Sequence, residues 1–151
     1  MPEVAQGHIY EQRATESKMK IDGGCHCGNI TFVAEADPGQ VTICHCTDCQ
    51  TLTGTPYRVV VRVPKDKIEW RGGKARTYVK TAESGTKRVQ AFCPECGTPI
   101  YSTNVGEPQN FGLRLGTIRQ RGELRPAKQI WCRSALGWAM DLESIPQVAK
   151  Q

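Results

Sequence analysis

Seven of the eight cysteines lie in three short clusters, and their spacing is typical of thiolates gathered around a metal ion. The clusters are Cys25-His26-Cys27, Cys44-His45-Cys46-Thr47-Asp48-Cys49 and Cys93-Pro94-Glu95-Cys96. In an extended chain, residues i and i+2 point to the same side, with Cα atoms about 6.6 Å apart. Each C-x-C pair can therefore offer two sulfurs to one ion. A C-x-x-C pair that contains Pro94 is typical of a tight turn whose amides can hydrogen-bond the thiolates.

Zinc is the metal that such clusters favour, because it accepts thiolate ligands in a tetrahedral arrangement at about 2.3 Å. An iron–sulfur site and a disulfide framework are the alternatives. The first residues include Pro2, Glu3 and Glu11 and no apolar stretch of a signal peptide, and no run of eighteen apolar residues follows. We therefore expect a cytoplasmic protein with reduced thiols.

The elements that must position these cysteines are predicted to be mainly β. Short β-branched runs are separated by glycines, and only 38% of the 151 residues are hydrophobic, so bound metal is expected to contribute to stability. Strands are predicted at 29–36, 57–63, 76–80, 88–92, 100–103, 111–118 and 129–133. No helix is predicted beyond one turn within 134–145. Residues 1–18 are predicted to form a flexible leader and residues 19–147 a single zinc-binding domain.

The positive charge is concentrated in residues 58–88, which contain ten Lys or Arg and three Asp or Glu. These basic residues alternate with Val, Ile, Trp and Tyr, as on the solvated face of a sheet. An anionic small substrate is the functional alternative. Two zinc sites with seven thiolates would reduce the formal charge of +5 to about +2. General nucleic-acid binding is therefore disfavoured.

Three longer motifs carry a family resemblance. They are Gly23-Gly24-Cys25-His26-Cys27-Gly28, the six residues Cys44 to Cys49 followed by Thr53-Gly54, and Phe92-Cys93-Pro94-Glu95-Cys96-Gly97. Their order and spacing over roughly residues 20–104 resemble the glutathione-dependent formaldehyde-activating enzyme and centromere protein V family. The resemblance implies a mainly β, Mss4-like zinc-containing fold with short strands and long loops.

The same resemblance implies two zinc ions per chain. Cys25, Cys27, Cys93 and Cys96 would hold a structural zinc. Cys44, Cys46 and Cys49 would hold a second zinc and leave one position for water or substrate. Spacing alone does not choose this pairing, because the cysteines can be divided between two ions in many ways.

The activity that gives the family its name joins formaldehyde to glutathione, and the reverse is a carbon–sulfur lyase reaction. Three thiolates make zinc a poor Lewis acid for water, but an incoming thiol can still lose its proton. The predicted function is a zinc-dependent carbon–sulfur lyase or synthase acting on a small thiol and an aldehyde, with Cys44, Cys46 and Cys49 as ligands of the open, catalytic zinc. The alternatives are a non-catalytic zinc-stabilised module for a protein or polyanion partner, and a nucleic-acid or cytoskeletal binder.

Several residues outside the shared motifs have open roles. Cys132 either closes the second zinc site or is a buried free cysteine in a strand. His45 either faces outward between two ligands or shuttles protons. Gln129 stands where the family often has a histidine. Five basic residues are candidates for pairing with the carboxylates of glutathione, without assignment: Arg58, Arg62, Lys65, Arg88 and Arg114.

Overall fold

The computed structural model describes residues 18–151, which form a mainly β fold with 42% strand and 19% helix. The predicted leader lies almost entirely outside the described residues. The strands are β1 (Met19–Gly24), β2 (Ile30–Ala36), β3 (Val41–Cys44), β4 (Arg58–Pro64), β5 (Ile68–Gly72), β6 (Arg76–Thr81), β7 (Lys87–Phe92), β8 (Pro99–Asn104), β9 (Asn110–Arg114) and β10 (Lys128–Ile130). One α-helix, α1 (Thr47–Thr53), follows β3. The prediction of a mainly β fold with short strands is confirmed.

The strands form two sheets. A three-stranded antiparallel sheet has the order β1-β2-β5, and a seven-stranded sheet has the order β10-β3-β4-β9-β8-β7-β6. All neighbours in the larger sheet are antiparallel except β10 and β3. Gly23 brings β1 against the larger sheet's loops, where a Cβ would lie 1.9 Å from the Thr117 carbonyl oxygen. Only glycine fits this close approach.

The main hydrophobic core lies between the two sheets. Phe32 of β2 and Leu113 of β9 are at most 1% exposed and belong to one cluster. Trp70 of β5 packs against Phe32 and Phe111, with ring centroids 5.5 and 5.4 Å apart. Each fully buried large side chain stabilises the fold by about 1.5–3 kcal/mol. The core therefore fixes which face of each strand points inward.

The opposite face of the larger sheet carries cations. Val61 and Val63 point into the core, so Arg58 and Arg62, at alternate positions of β4, point away from it. The register pairs Val60 with Arg114 and, through β8, aligns Arg88 on the same side. Four residues thus share this surface, which we call the arginine face: Arg58, Arg62, Arg88 and Arg114.

The two ends of the larger sheet are connected across the arginine face. Lys80 of β6 contacts Asp48 of α1 with a 3.1 Å ion pair. Arg133, just after β10, contacts Glu83 in the β6–β7 turn at 3.1 Å. Both members of the second pair are about 70% exposed, so that pair adds little stability. The contacts show that the sheet curves and partly encloses the arginine face.

Two predicted strands are shorter than expected, and four elements were not predicted. The strand predicted at 111–118 ends at Arg114, because Leu115–Thr117 forms a 3₁₀ turn. The strand predicted at 129–133 ends at Ile130, because Trp131 adopts a left-handed conformation with φ 57°. The turn predicted within 134–145 is a 3₁₀ turn at Gly137–Met140. The elements β1, β3, β5 and α1 are additional.

Candidate metal centres

The first candidate centre is a four-thiolate cluster made by two hairpin turns. Cys25 and Cys27 lie in the β1–β2 turn, and Cys93 and Cys96 lie between β7 and β8. Their four Sγ atoms all lie within 4.8 Å of one another. The Sγ atoms of Cys25 and Cys27 are 3.6 Å apart, and those of Cys27 and Cys93 are 3.7 Å apart. A tetrahedral zinc with four sulfurs at about 2.3 Å separates them by about 3.8 Å, so the cluster fits zinc.

Hydrogen-bond donors surround this cluster and spread its negative charge. The amide of Ile30 donates to Cys25 Sγ at 3.3 Å, and the amide of Glu95 donates to Cys93 Sγ at 3.4 Å. The Thr98 hydroxyl lies 3.1 Å from Cys96 Sγ, and this hydrogen bond is the largest of the causes that lower the pKa of Cys96 to about 5. Such contacts orient metal ligands and favour their charged form.

The second candidate centre is a three-thiolate cluster within six consecutive residues. Cys44 ends β3, Cys46 caps α1, and Cys49 lies in the first helical turn. The amide of Cys49 donates to Cys46 Sγ at 3.2 Å. The three Sγ atoms lie within 4.8 Å of one another, and within residues 18–151 no fourth His, Cys, Asp or Glu joins them. A metal bound here would keep a position that the described protein does not fill.

Hydrogen bonds between the thiols of the three-thiolate cluster shift the pKa values of Cys44 and Cys49 in opposite directions. The pKa of Cys44 is lowered to about 5, first by a hydrogen bond from the Cys49 thiol and further by Cys46 and the positive charge of Arg58. The pKa of Cys49 is raised far above its usual range, because Cys49 donates to Cys44 and is buried. These contacts favour the thiolate form of Cys44 over that of Cys49. Metal binding must displace the remaining protons.

Arg58 and Arg114 bring buried positive charge next to this cluster. Each side chain is only 7% exposed. Arg114 donates to Gln90 Oε1 at 2.7 Å and to Ser102 Oγ at 3.4 Å. Burial lowers its pKa to about 9, helped by repulsion from Arg58 and Arg88 and opposed by attraction to the Cys49 and Cys44 thiolates. The arginines and the thiolates are therefore close enough to interact electrostatically.

Two cavities adjoin the buried arginines. One has a volume of about 510 Å³ and lies among the end of α1, the start of β4, the start of β8 and the 3₁₀ turn after β9. The other has a volume of about 380 Å³ and shares Thr53, Arg58, Pro99 and Arg114 with the first. No cysteine lines either cavity. Arg58 and Arg114 line both cavities, and His26 and Thr98, which lie in the turns of the four-thiolate cluster, line the first.

His45 is buried, whereas the sequence predicted that it faces outward. It is fully buried, with Nε2 2.7 Å from Gln129 Oε1 and its ring 5.3 Å from that of Tyr57. The prediction that it faces outward is wrong, because the side opposite the two ligands is covered by protein. The amide of His45 also donates to the Ile130 carbonyl at 3.1 Å and so extends the β3–β10 pairing. Complete burial separates this histidine from solvent, which does not suit a proton shuttle.

Cys132 is exposed and is not part of either thiolate cluster. The interpretation that it is a buried free cysteine in a strand is wrong, because β10 ends before Trp131 and the chain turns there. The second interpretation, closure of the three-thiolate cluster, also disagrees with its position. Among the described residues, all eight cysteines are free of disulfides.

The burial of Arg58 and Arg114 was not predicted from the sequence. The alternation in Arg58–Pro64 (RVVVRVP) indicated only the shared face, because it places both arginines of β4 opposite the buried valines, and by itself it predicts a solvated face. The clustering of the four arginines depends on β7, β8 and β9 aligning in register, which alternation within one strand cannot reveal.

Comparisons with known proteins agree with this architecture. The sequence model described as glutathione-dependent formaldehyde-activating enzyme matches residues 20–134. A crystal structure of a Rhodobacter sphaeroides protein is similar in fold, with a TM-score of 0.54, 16% sequence identity, and coverage of 72% of this chain and 98% of that chain. Within residues 18–151, no helix is sufficiently long and apolar to cross a membrane.

Proposed function

The chain belongs to the glutathione-dependent formaldehyde-activating enzyme family, and from this premise we propose that it is a zinc-dependent enzyme joining a small thiol such as glutathione to an aldehyde such as formaldehyde. In the reverse direction it acts as a carbon–sulfur lyase. The observation that carries the proposal is the three-thiolate cluster, which has no fourth ligand among residues 18–151. Catalytic zinc sites keep such an open position, whereas structural sites are closed.

The two clusters have different roles in this proposal. Cys25, Cys27, Cys93 and Cys96 hold a structural zinc that ties the β1–β2 turn to the β7–β8 turn. Cys44, Cys46 and Cys49 hold the catalytic zinc. We expect the cytoplasm as the compartment, because free thiols in such number require reducing conditions.

The reaction forms one carbon–sulfur bond and needs no oxidant. When bound, zinc supplies a positive charge that lowers the pKa of an incoming thiol. The thiolate sulfur attacks the aldehyde carbon, the carbonyl π bond breaks, and the oxygen takes a proton from solvent to give the hydroxymethyl thioether. Cys44, Cys46 and Cys49 hold the site, and Arg58 offers positive charge beside it. The chain thus contributes positioning and electrostatics.

A zinc-stabilised binding module without chemistry is the second candidate. The observation that favours it is the burial of Cys44 and Cys49, which are 7% and 3% exposed. Only Cys46 of the three is partly accessible. A metal enclosed in this way exchanges ligands slowly, and the arginine face would then bind an anionic partner without turnover.

Measured rates decide between these candidates. Glutathione and formaldehyde also combine spontaneously, so their interconversion with S-hydroxymethylglutathione should be followed at equilibrium by NMR exchange spectroscopy. We expect zinc-loaded protein to accelerate the exchange, and Cys46→Ser to abolish the acceleration while keeping the fold. The matched control is Cys132→Ser, which removes an exposed thiol outside both clusters. Equal exchange rates with and without wild-type protein would establish the binding module.

A further inference from the structure

The buried pair Arg58 and Arg114 has hydrogen-bonding capacity that the protein does not use. The Nε atoms of both are buried without a hydrogen-bond partner within residues 18–151. Burying a polar group without a partner is costly, and burying a charge without a counter-charge costs more. A ligand that accepts hydrogen bonds and carries negative charge would offset both costs.

The surroundings of the pair do not neutralise it. Across residues 18–151, no Asp or Glu forms an ion pair with any member of the arginine face. The partners that orient Arg114 are all neutral: the side chains of Gln90 and Ser102 and the carbonyl of Gly112. The thiolates of Cys44 and Cys49 supply nearby negative charge, but zinc would reduce the three-thiolate cluster to a formal charge of about −1. Four arginines therefore retain a net positive field.

The position of the pair suits a group attached to the thiol substrate. Arg58 is the cross-strand partner of Cys44, and directly opposed residues have Cα atoms about 4.5–5.5 Å apart. Both arginines also line the two adjoining cavities, of about 510 and 380 Å³. Small-molecule sites are typically about 300–1,000 Å³. The cross-strand pairing of Arg58 with Cys44, and not the cavities, connects the guanidinium pair to the three-thiolate cluster. A molecule whose sulfur is held at that cluster can therefore place an acidic group at the pair.

We propose that Arg58 and Arg114 form a carboxylate-binding subsite that selects thiols bearing a carboxylate over thiols without one. Guanidinium groups suit this task, because their planar donors match the two oxygens of a carboxylate. The inference rests on the proposed function only for the position of the substrate sulfur. Arg58 and Arg114 bind substrate in this account and take no part in bond formation.

The test separates carboxylate recognition from thiol chemistry. S-methylglutathione retains both carboxylates but has no free thiol, and its diethyl ester lacks the carboxylates. Isothermal titration of zinc-loaded wild-type protein should show binding of the acid at least about tenfold tighter than binding of the diester. Equal affinities for these two molecules would overturn the subsite, even if the protein catalyses thiol addition.

Substitution of Arg58 locates the effect. Arg58→Gln should weaken binding of S-methylglutathione by about tenfold to hundredfold, as expected for a lost charged hydrogen bond, and Arg58→Lys should lie between it and wild type. The charge control is Arg71→Gln, because Arg71 lies in the smaller sheet and already pairs with Glu69. We expect that control to bind as wild type. An equal loss in Arg58→Gln and Arg71→Gln would assign the effect to net charge and overturn the proposal.

A counter-ion role for Arg58 predicts a different pattern. If Arg58 serves only to balance the thiolates, Arg58→Gln lowers zinc affinity in a chelator competition and weakens acid and diester equally, which would overturn the subsite. Failure of the proposed function is distinguishable. In that case the NMR exchange rate equals the spontaneous rate, while the preference for S-methylglutathione over its diester persists.

Discussion

The four-thiolate and three-thiolate clusters use the same residue type in opposite settings. The first joins turns that are far apart in sequence, and amides and the Thr98 hydroxyl surround its sulfurs. The second comes from one six-residue segment, and the positive charges of two buried arginines lie beside it. Metal bound by the four-thiolate cluster would close long loops and so stabilise the fold strongly. Metal bound by the three-thiolate cluster would close only a six-residue segment and so would stabilise the fold little. In the proposed function, the surroundings of the cysteines, and not the cysteines themselves, make the first cluster structural and the second catalytic.

Loss of a ligand in the four-thiolate cluster should cause the largest decrease in stability. Cys93→Ser should remove most of the roughly 10 kcal/mol that a structural zinc site can contribute. Cys93 is fully buried, so no water can replace its sulfur without opening the core. We expect loss of the cooperative thermal transition, measured by calorimetry. A Cys93→Ser protein that melts like wild type would contradict the structural role.

Loss of a ligand in the three-thiolate cluster should affect activity far more than stability. Cys46→Ser is expected to abolish acceleration of the thiol–aldehyde exchange and to shift unfolding by no more than about 2 kcal/mol, because serine can still cap the helix as Cys46 does. Calorimetry and NMR exchange on the same sample give both values. Global unfolding of Cys46→Ser would remove the contrast between the clusters.

Acidification should release zinc from both clusters, and from the three-thiolate cluster first. Thiolate ligands must be deprotonated, so affinity is retained at high pH and falls as pH decreases. The lowered pKa values near 5 of Cys44 and Cys96 favour one ionised thiol per cluster above that pH, and the raised pKa values of Cys27, to about 12, and of Cys49 leave a proton in each cluster that competes with metal. The three-thiolate cluster should release first because it offers one thiolate fewer. A zinc-sensitive dye should report two release steps. Release of both ions in one step would contradict unequal sites.

The weakest effect is expected for loss of a single hydroxyl beside the four-thiolate cluster. Thr98→Val removes the hydroxyl that lies 3.1 Å from Cys96 Sγ and accepts a hydrogen bond from the His26 amide, but it preserves shape. One hydrogen bond corresponds to about a tenfold change in metal affinity. Chelator competition should show this decrease. An unchanged zinc affinity in Thr98→Val would contradict a contribution of this hydroxyl to the four-thiolate cluster.

The sequence was sufficient for the parts of this molecule that rest on local spacing. The three cysteine motifs predicted which thiols meet, once the family resemblance supplied the pairing, and β-branched runs such as Arg58–Pro64 predicted strands. The domain boundaries and the roles of the two clusters stay predictions. Strand β1 was not predicted because Asp22, Gly23 and Gly24 weaken its pattern, although packing against β2 holds it.

The remaining features depend on tertiary contacts. Helix α1 has the sequence TDCQTLT, with weak helix propensity, and it forms because Cys46 caps it and Gly54 ends it in a left-handed conformation. The arginine face requires four aligned strands, so no window of sequence contains it. His45 shows the same limit, because alternation placed it opposite the ligands without revealing that protein covers that side.

The proposed function requires an exchangeable position on the metal held by Cys44, Cys46 and Cys49. Crystals of zinc-loaded protein, with and without soaked glutathione, should be measured by anomalous diffraction at the zinc edge. We expect two ions, one bound by four cysteine sulfurs in both crystals and one whose fourth ligand is replaced by the glutathione sulfur. A single ion, or a second ion whose fourth ligand is a protein side chain unchanged by glutathione, would contradict it.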